Sequence, residues 1–235
     1  MSLFPDMLEG FLSASMLRRA MNLGLIEFNT YNLRSFTRDK HGTTDDRPFG
    51  GGPGMVMKPE PVCSAIDAVK TETSMVIYMC PDGKLLTTEL AKELSKKKHL
   101  ILLSGHYEGI DERIRESHLD LEVSIGDYII TNGTLAAAVL ADAVCRYVPG
   151  VLGNPNSLDQ DSFSNGLLSF PQYTRPVEFE GKRVPEVLMS GNHAEIDRWR
   201  FNQMIARTMN RRPDIFQKWL NLNKKHLEKD VDLLK

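Results

Sequence analysis

The sequence predicts an α/β protein in which a parallel sheet is flanked by helices and followed by a small, all-helical C-terminal domain. Three observations support this fold class. Apolar strands alternate with helices, each of those strands runs into a loop containing glycine, and basic residues collect near the C-terminus. Near-continuous apolar strands are typical of parallel sheets buried on both faces. With 235 residues, 41% of them apolar, the chain can bury one substantial core and a small second domain.

The N-terminal part, ahead of the sheet, is predicted to hold a helix, a strand and a second helix. Apolar residues recur at helical spacing over 4–23, and Gly24 suits the position after a helix end. Residues 25–31 alternate between apolar and polar side chains, as a strand does. After a turn-rich segment at 38–57, we expect a helix that begins with proline over 59–70.

Three strands of the sheet are predicted over 75–80, 100–103 and 121–125, with a helix over 88–98 between the first two. In open parallel sheets, ligands bind at the carboxyl ends of the strands. The glycine loops that follow these strands are therefore the expected binding region. A helix rich in alanine and leucine is predicted over 134–147, where a Pro-Gly pair stops it.

The rest of the chain divides into a loop and a second domain. Residues 151–172 are dominated by glycine, asparagine, serine, aspartate and proline. This composition predicts a flexible interdomain loop between one domain at 1–150 and another at 173–235. Residues 192–195 resemble a capping box, so a helix should begin there and must end before Pro213.

Charge is distributed unevenly along the sequence. Residues 171–235 carry 13 lysines and arginines against 9 acidic residues, whereas 1–170 carry 16 against 22. An apolar set and a basic set of side chains fall on different faces of the helix after residue 192, namely Phe201, Ile205 and Met209, and Arg200, Arg207 and Arg211. This basic region is consistent with a local contact to a polyanion or with an ordinary solvated helix face.

Composition and cysteine usage narrow the classes of protein. No apolar run reaches the ~18 residues that a membrane span needs. The N-terminal residues have neither a basic segment nor a cleavage site, so we expect a cytoplasmic protein with no membrane partner. Cys63, Cys80 and Cys145 are far apart and odd in number, which favours reduced thiols over a zinc site or a disulfide framework. No metal ligands are predicted.

The glycine cluster at 49–55 invites comparison with a phosphate-binding loop. However, no Gly-Lys-Ser/Thr sequence follows it, and the residues before it do not form an apolar strand. A tight surface turn is the favoured interpretation of this segment taken alone.

The loop at 104–113 is more informative. Gly105 and Gly109 follow a buried strand and allow the backbone to approach a ligand closely. Glu108 lies where it could contact a ribose or an amine, or it is a solvated loop acid. The segment 124–130 is similarly suited to holding a flat aromatic ring through main-chain hydrogen bonds. Asp161 and Arg146 are unremarkable in isolation.

Taken together, the motifs resemble the bacterial tRNA (guanine-N1)-methyltransferases, a TrmD-like family of the knotted SPOUT class. The matching segments are collinear and cover nearly the whole chain. They are SLFP at 2–5, DDRPFGGGPGM at 45–55, GHYEGIDER at 105–113, SIGDY at 124–128, PGVLG at 149–153, DSF at 161–163, PQYTRP at 171–176 and SGNHAEI at 190–196.

Three departures from the family pattern are visible. The family begins with a strand of several residues before Leu-Phe-Pro, which this chain lacks, so we expect a shortened or missing first strand. NGTL at 132–135 replaces the usual Gly-Gly-Glu-Leu, and His106 stands where arginine is common.

The resemblance implies a fold, an activity and partners. It implies a C-terminal trefoil knot in the α/β domain, which base rates of protein topology oppose. It implies transfer of a methyl group from S-adenosyl-L-methionine to N1 of guanine 37 in tRNA, next to the anticodon. It further implies binding of the tRNA anticodon stem-loop, a homodimer, and a requirement for Mg²⁺ at an unknown position.

The resemblance also implies roles for individual residues. Asp161 would be the base that takes the N1 proton, supplied to the cofactor pocket of the other subunit. Arg146 would hold the O6 and N7 edge of guanine, and Glu108 would lie near the methionine end of the cofactor. Arg200, Arg207 and Arg211 are predicted to bind RNA. The predicted cofactor-binding residues are Tyr78, Met79, Cys80, Pro81, Gly105, Tyr107, Glu108, Gly109, Ile110, Ser124, Ile125, Gly126, Asp127, Tyr128, Ile129, Ile130, Asn132 and Gly133.

Two alternatives belong to other functional classes. A non-enzymatic RNA-binding module would account for the basic C-terminal region but leaves the glycine loops after three strands unexplained. A SPOUT methyltransferase acting on ribose or on ribosomal RNA would share the cofactor loops and needs no base at a ring nitrogen.

Overall fold

The computed structural model describes residues 1–154 and 158–227, with the side chains of 224–227 left aside. The chain divides into two compact units, Met1–Gly153 and Asn154–Lys235. No helix in the described residues is both long and apolar enough to cross a membrane.

The N-terminal segment of the first unit is more broken than the sequence predicts. A 3-10 turn at Pro5–Leu8 leads into helix α1 (Glu9–Leu12), and helix α2 (Ser15–Asn22) follows separately. The single helix predicted over 4–23 is therefore wrong. Its break lies at Ala14, whose backbone is extended at φ −123° and ψ 160°. Nearby glycine and serine residues weaken a helix because their helix propensity is low.

The strand predicted over 25–31 is also wrong, since the structure has only irregular chain there. The alternating pattern gives these residues a possible apolar face, but a strand also needs a neighbour with which to pair. The chain meets such a neighbour only at Asn32, which forms an isolated parallel bridge with Ser2. A 3-10 turn at Leu33–Phe36 follows, and then the short antiparallel pair β1 (Asp45–Asp46) and β2 (Val56–Met57).

A parallel three-stranded sheet forms the centre of the first unit, as predicted. Its strands are β3 (Ser74–Leu85), β4 (His99–Ser104) and β5 (Leu121–Ser124), in the order β4-β3-β5. The surrounding helices are α3 (Pro59–Val69), α4 (Thr88–Leu94), α5 (Glu112–His118) and α6 (Gly133–Cys145). Helices α3 and α6 match their predicted positions, whereas α4 ends four residues early in a turn of serine and lysines.

Both faces of the central strand are buried. Val76, Tyr78 and Cys80 pack in one apolar cluster with residues of α3 and α5. Ile77 and Met79 pack in a second cluster with residues of α4 and α6. This alternation follows from the two-residue period of a strand, and it explains why β3 is apolar at every position from 75 to 80.

The carboxyl end of β3 contains an irregularity. Its pairing with β5 shifts between Met79 and Lys84, both of which align with Val123, so residues 80–83 bulge out of the ladder. Gly83 returns the chain against β5 so closely that a Cβ atom there would lie 2.5 Å from the carbonyl carbon of Glu122 and from the nitrogen of Val123. The bulge therefore requires a residue without a side chain at its last position.

The second unit contains a hairpin and two long helices. The hairpin strands are β6 (Glu178–Phe179) and β7 (Lys182–Arg183), and the helices are α7 (His193–Arg211) and α8 (Pro213–Leu227). Asn192 caps α7 by accepting a hydrogen bond from the backbone N–H of Glu195. This start, and an end before Pro213, match the prediction. The hairpin is an addition to the purely helical domain expected there.

The core of the second unit draws on part of the predicted interdomain loop. Leu167 and Phe170 are buried together with Met204 of α7 and Trp219 of α8. Residues 158–172, in the later part of that predicted loop, fall within the second compact unit. The polar composition of residues 151–172 did not indicate that Leu167 and Phe170 would be buried.

The side chains of α7 are buried differently from the pattern that its sequence suggests. The buried positions are Ile196, Met204 and Thr208, whereas Phe201 and Met209 are nearly half exposed. Arginine side chains can pack their aliphatic stems against apolar surface, so a helix face rich in arginine can still be turned towards a core. Apolar spacing alone therefore does not define the buried side of α7, although Ile205 packs against the core of the second unit.

Two glycine-to-alanine variants test the close approach at the bulge. Gly83→Ala should lower the free energy of unfolding by about 1–3 kcal/mol, because the new methyl group collides with the backbone of β5. Gly10→Ala, at a site in α1 with no neighbouring atom within 4 Å, should leave stability unchanged or raise it by up to about 1 kcal/mol. Urea denaturation of both variants measures the difference. Equal stabilities would show that the bulge is not tightly packed.

Candidate active site

Three loops meet where the sheet strands end, and we call this region the carboxyl edge. It comprises residues 80–83 after the regular part of β3, 105–111 after β4, and 125–132 after β5. The first residue of α6, directly after the third loop, is joined to the second loop by a hydrogen bond of 2.8 Å from the N–H of Gly133 to the carbonyl of Gly105. The structure thus brings the three segments that the sequence singled out to one place.

The backbone at the carboxyl edge is packed around Tyr78. The Tyr78 side chain is buried, and burial raises the pKa of its hydroxyl to about 12, so the group stays protonated at neutral pH. A Cβ atom at Gly105 would lie 2.6 Å from the Tyr78 hydroxyl oxygen, and one at Gly109 would lie 3.3 Å from it. The second loop can lie over this ring only because both positions are glycine.

The third loop and the first residue of α6 also contain glycines that lie very close to neighbouring atoms. A Cβ atom at Gly133 would lie 2.9 Å from the nitrogen of Gly105. Gly126 has φ +143°, a conformation that favours glycine, and a Cβ atom there would lie 2.6 Å from the ring of Tyr128. These glycines therefore allow the second and third loops to pack closely at the end of the sheet where ligands of open parallel sheets bind.

The departure at 132–135 has a local structural role. Asn132 caps α6, since its side chain accepts a hydrogen bond of 2.9 Å from the N–H of Thr134. Thr134 is buried, and its hydroxyl lies 2.7 Å from that of Ser2. The N-terminal residues also contact β4, since the carbonyl of Met1 accepts a hydrogen bond from the N–H of Ser104.

The glycine cluster at 49–55 adjoins this loop system, which its sequence did not reveal. Its glycines are exposed, as a surface turn requires, and have positive φ values. Three backbone hydrogen bonds of 2.9–3.0 Å nevertheless tie the end of the segment to the second loop, joining Met55 to Glu108, and Met57 to Gly109 and Asp111. A Cβ atom at Gly54 would collide with the carboxylate of Glu108.

Glu108 itself is exposed on the second loop. The preceding residue, Tyr107, has φ +56° and is 45% exposed. Its N–H donates to Nδ1 of His106, whose ring lies 5.2 Å from that of Phe4 and 4.4 Å from that of Tyr107. His106, which stands where the family commonly has arginine, thus packs between two aromatic rings.

Arg146 and Asp161 belong to different units. Arg146 is half-buried at the C-terminus of α6, where its N–H donates to the carbonyl of Asp142. Asp161 is half-buried in a turn, and its carbonyl accepts a hydrogen bond of 2.8 Å from the hydroxyl of Ser164. Both side chains make interactions of their own within the protein.

A charged group that the sequence did not indicate borders the first loop. The ligand atoms of Cys80, Asp82 and Glu122 all lie within 4.8 Å of one another. Arg115 donates to both carboxylates, and burial raises the pKa of the Cys80 thiol above its ordinary value. Mg²⁺ prefers an octahedral set of oxygen ligands. With a protonated thiol and carboxylates already paired to arginine, this group does not fit Mg²⁺.

The predicted RNA-binding arginines of α7 are not equivalent. Arg211 is exposed, whereas Arg200 and Arg207 are half-buried and each has a buried Nε atom with no hydrogen-bond partner. The Arg200 guanidinium lies 4.9 Å from the centre of the Phe170 ring and pairs with Asp197 at 3.3 Å. Arg200 also borders a groove of about 400 Å³ within the second unit.

Comparison with known proteins places the chain in a family. The family model described as "tRNA (Guanine-1)-methyltransferase TrmD" matches residues 1–218. A tRNA (guanine-N(1)-)-methyltransferase of Staphylococcus carnosus is 53% identical over 220 residues, covering 93% of this chain and 90% of the relative. Proteins of the same name from Dictyoglomus turgidum and Staphylococcus aureus (strain Newman) are 52% and 50% identical, covering 92% and 97% of this chain and 88% and 95% of the relatives.

These names support neither alternative, a non-enzymatic RNA-binding module or a methyltransferase acting on ribose or ribosomal RNA. The family match spans both units of the structure, and the relatives share about half of their residues with this chain over most of its length. The chain therefore belongs to the tRNA (guanine-N1)-methyltransferase family, the TrmD family, and is an enzyme that methylates guanine in tRNA.

Proposed function

We propose that this enzyme methylates N1 of guanine 37, next to the anticodon of tRNA, and binds its methyl donor at the carboxyl edge of the sheet. The observation that carries this proposal is the close packing of the loops at that edge around Gly105, Gly109, Gly126 and Gly133, where a Cβ atom would lie within 3.3 Å of another protein atom. The site lies where ligands of open parallel sheets bind. The resemblance to TrmD-like enzymes supports guanine 37 as the target position.

The methyltransferase family implies S-adenosylmethionine as the methyl donor. When bound, this cofactor supplies an electrophilic methyl group on a sulfonium centre. Peptide groups of 124–133 would hold its adenine ring, and residues 78–81 and 105–110 would complete the pocket. Glu108, exposed at the end of the second loop, would face the methionine end.

The reaction needs a base, because guanine N1 carries a proton at neutral pH and its lone pair is unavailable until that proton leaves. We assign the base to Asp161. A free aspartate, with an ordinary pKa of about 3.9, is a weak base for this step. Burial against docked RNA would disfavour the charged carboxylate and so make Asp161 a stronger proton acceptor. Placing the base in a turn outside the sheet makes activity depend on the correct RNA.

Arg146 would stabilise the negative charge that develops on guanine as N1 loses its proton. Arginine donates two hydrogen bonds to the O6 and N7 atoms of guanine in its most common specific contact. Such charge stabilisation acts together with the base, since both promote one deprotonation. The Mg²⁺ requirement implied by the family resemblance stays part of the proposal, with no assigned ligands.

The wider assembly is also proposed from the resemblance. The enzyme would act as a cytoplasmic homodimer, with Asp161 of one subunit serving the cofactor pocket of the other. A C-terminal trefoil knot would complete the cofactor domain at 1–150, and 151–172 would link it to a tRNA-binding domain at 173–235. The basic residues of that domain, including Arg200, Arg207 and Arg211, would contact the anticodon stem-loop through phosphates.

Transfer of tritium from labelled S-adenosylmethionine to tRNA transcripts tests the target position. A transcript with guanine at position 37 should acquire label that nucleoside analysis identifies as N1-methylguanine. A matched transcript with adenine at that position should acquire none, because it lacks the O6 acceptor and the N1 proton that Arg146 and Asp161 would recognise. Equal labelling of both transcripts, or label in a 2′-O-methyl group, would contradict the proposal.

A second test asks whether Asp161 accepts the proton from guanine N1 or only supports the structure of its turn. Asp161→Asn keeps the shape of the side chain but cannot accept the proton, so single-turnover methyl transfer should fall about 10²–10⁴-fold. Folding and S-adenosylmethionine affinity should be unchanged. Asp159→Asn, an exposed aspartate two residues away, is the matched control and should keep full activity. If Asp161→Asn retains more than about a tenth of wild-type activity, Asp161 is not the base.

A further inference from the structure

One side chain of α5, Arg115, connects three parts of the first unit. Its guanidinium donates to Asp82 in the bulge at 2.7 Å and to Glu122 of β5 at 3.1 Å. The same group lies over the Tyr78 ring, with 5.2 Å from the guanidinium carbon to the ring centre. The Cys80 thiol donates to the Glu122 carboxylate at 3.3 Å. We call these five residues the Arg115 cluster.

The Arg115 cluster holds a stretch of chain that the sheet itself does not hold. Residues 80–83 have no aligned partner in β4 or β5 within the described sheet, because the register jumps between Met79 and Lys84. The side chain of Asp82, in the middle of this stretch, is 62% exposed, yet its hydrogen bond from Arg115 lowers its pKa to about 2. Arg115 is itself only 21% exposed, so its charge is partly shielded from water.

The same cluster reaches the glycines of the second loop through Tyr78. One face of the Tyr78 ring lies against the Arg115 guanidinium, and its hydroxyl lies where Gly105 and Gly109 have no side chain. A shift of Arg115 would therefore alter both the bulge and the ring that supports the second loop. Both belong to the proposed cofactor pocket.

We propose that Arg115 is a positioning residue for S-adenosylmethionine, which fixes the bulge at 80–83 and the Tyr78 ring in the geometry that binds the cofactor. This inference rests on the proposed location of the cofactor pocket. Arg115 acts through Asp82, Glu122 and Tyr78 rather than by touching the cofactor. Loss of the Arg115 side chain therefore weakens cofactor binding beyond any effect that it has on the stability of the fold.

The chain offers a matched control on the same helix. Arg113 also pairs with an aspartate, Asp111, at 2.8 Å, but its side chain is 69% exposed and its partner precedes the same helix. Exposed pairs of this kind contribute little. A change at Arg113 removes the same charge from α5 without disturbing the bulge or Tyr78.

The experiment measures cofactor and tRNA binding separately in the full-length enzyme. Arg115→Gln, Arg115→Lys and Arg113→Gln are titrated with S-adenosylmethionine by calorimetry, and KM for each substrate and kcat are determined alongside the melting temperature. Arg115→Gln should raise the Kd and KM for S-adenosylmethionine about tenfold, on the scale of one lost charge-assisted hydrogen bond. Its KM for tRNA should stay within about twofold of wild type, a change too small to count as a binding loss.

The conservative variant distinguishes positioning from charge alone. Arg115→Lys keeps one ion pair but cannot bridge two carboxylates while lying flat on the ring, so its Kd should fall between those of Arg115→Gln and wild type. Arg113→Gln should bind the cofactor as wild type does. A lowered melting temperature for Arg115→Gln with an unchanged cofactor Kd would mean a merely structural role and would overturn the inference.

Two further measurements distinguish a wrong location of the cofactor pocket from a wrong role of Arg115. If the wild-type enzyme binds S-adenosylmethionine but protein footprinting places it away from the carboxyl edge, the proposed pocket fails and the inference fails with it. If Arg115→Gln does not fold, Asp82→Ala takes its place, because it removes the acceptor atoms of the bulge contact and leaves Arg115 paired with Glu122. A wild-type cofactor Kd in Asp82→Ala would then overturn the inference while leaving the proposed function intact.

Discussion

The close approach of backbone to backbone at the carboxyl edge of the sheet is the constraint on which the site depends. Gly83 lies against β5, Gly133 lies against the second loop, and Gly105 lies over the buried Tyr78 ring. Any side chain at these positions would push the loops apart, because the neighbouring atoms are backbone or a ring fixed in the core. The loops can therefore pack closely at this end of the sheet, where ligands of open parallel sheets bind.

The core of the first unit makes this constraint possible. The central strand is buried on both faces, so it forms a rigid support whose end cannot move to relieve a clash. Residues 80–83 leave the ladder at this end, and charged side chains from α5 and β5 take over the role of the missing backbone pairing. The arrangement places ionic contacts beside the proposed cofactor pocket.

The parts of the fold that could be predicted are those governed by strong periodicity. The buried strands, α6 and the capped start of α7 follow from apolar runs and capping residues. The first helix and the strand at 25–31 could not be predicted, because a break at Ala14 and the lack of a pairing neighbour depend on tertiary context. On α7, Phe201 is 45% exposed whereas the half-buried Arg200 lies over the ring of the core residue Phe170, which no count of apolar residues would indicate.

The candidate site, like the fold, could be predicted from the sequence only in part. The rule that ligands bind at strand ends led to the three loops, but the roles of Asp161 and Arg146 came only from the resemblance to a family. The contact between the glycine cluster and Glu108 joins residues more than 50 positions apart, and no local pattern signals it. Arg115 gave no signal either, since an arginine on a short helix is usually a surface residue.

Hydrogen–deuterium exchange with and without S-adenosylmethionine, in the absence of RNA, tests most directly whether the backbone of the carboxyl edge is the cofactor site. The account predicts slower exchange of the amides at 105–110 and 124–133 on cofactor addition, with the amides of α7 unchanged. Protection confined to the second unit, or unchanged exchange at both loops when the cofactor is saturating, would contradict it.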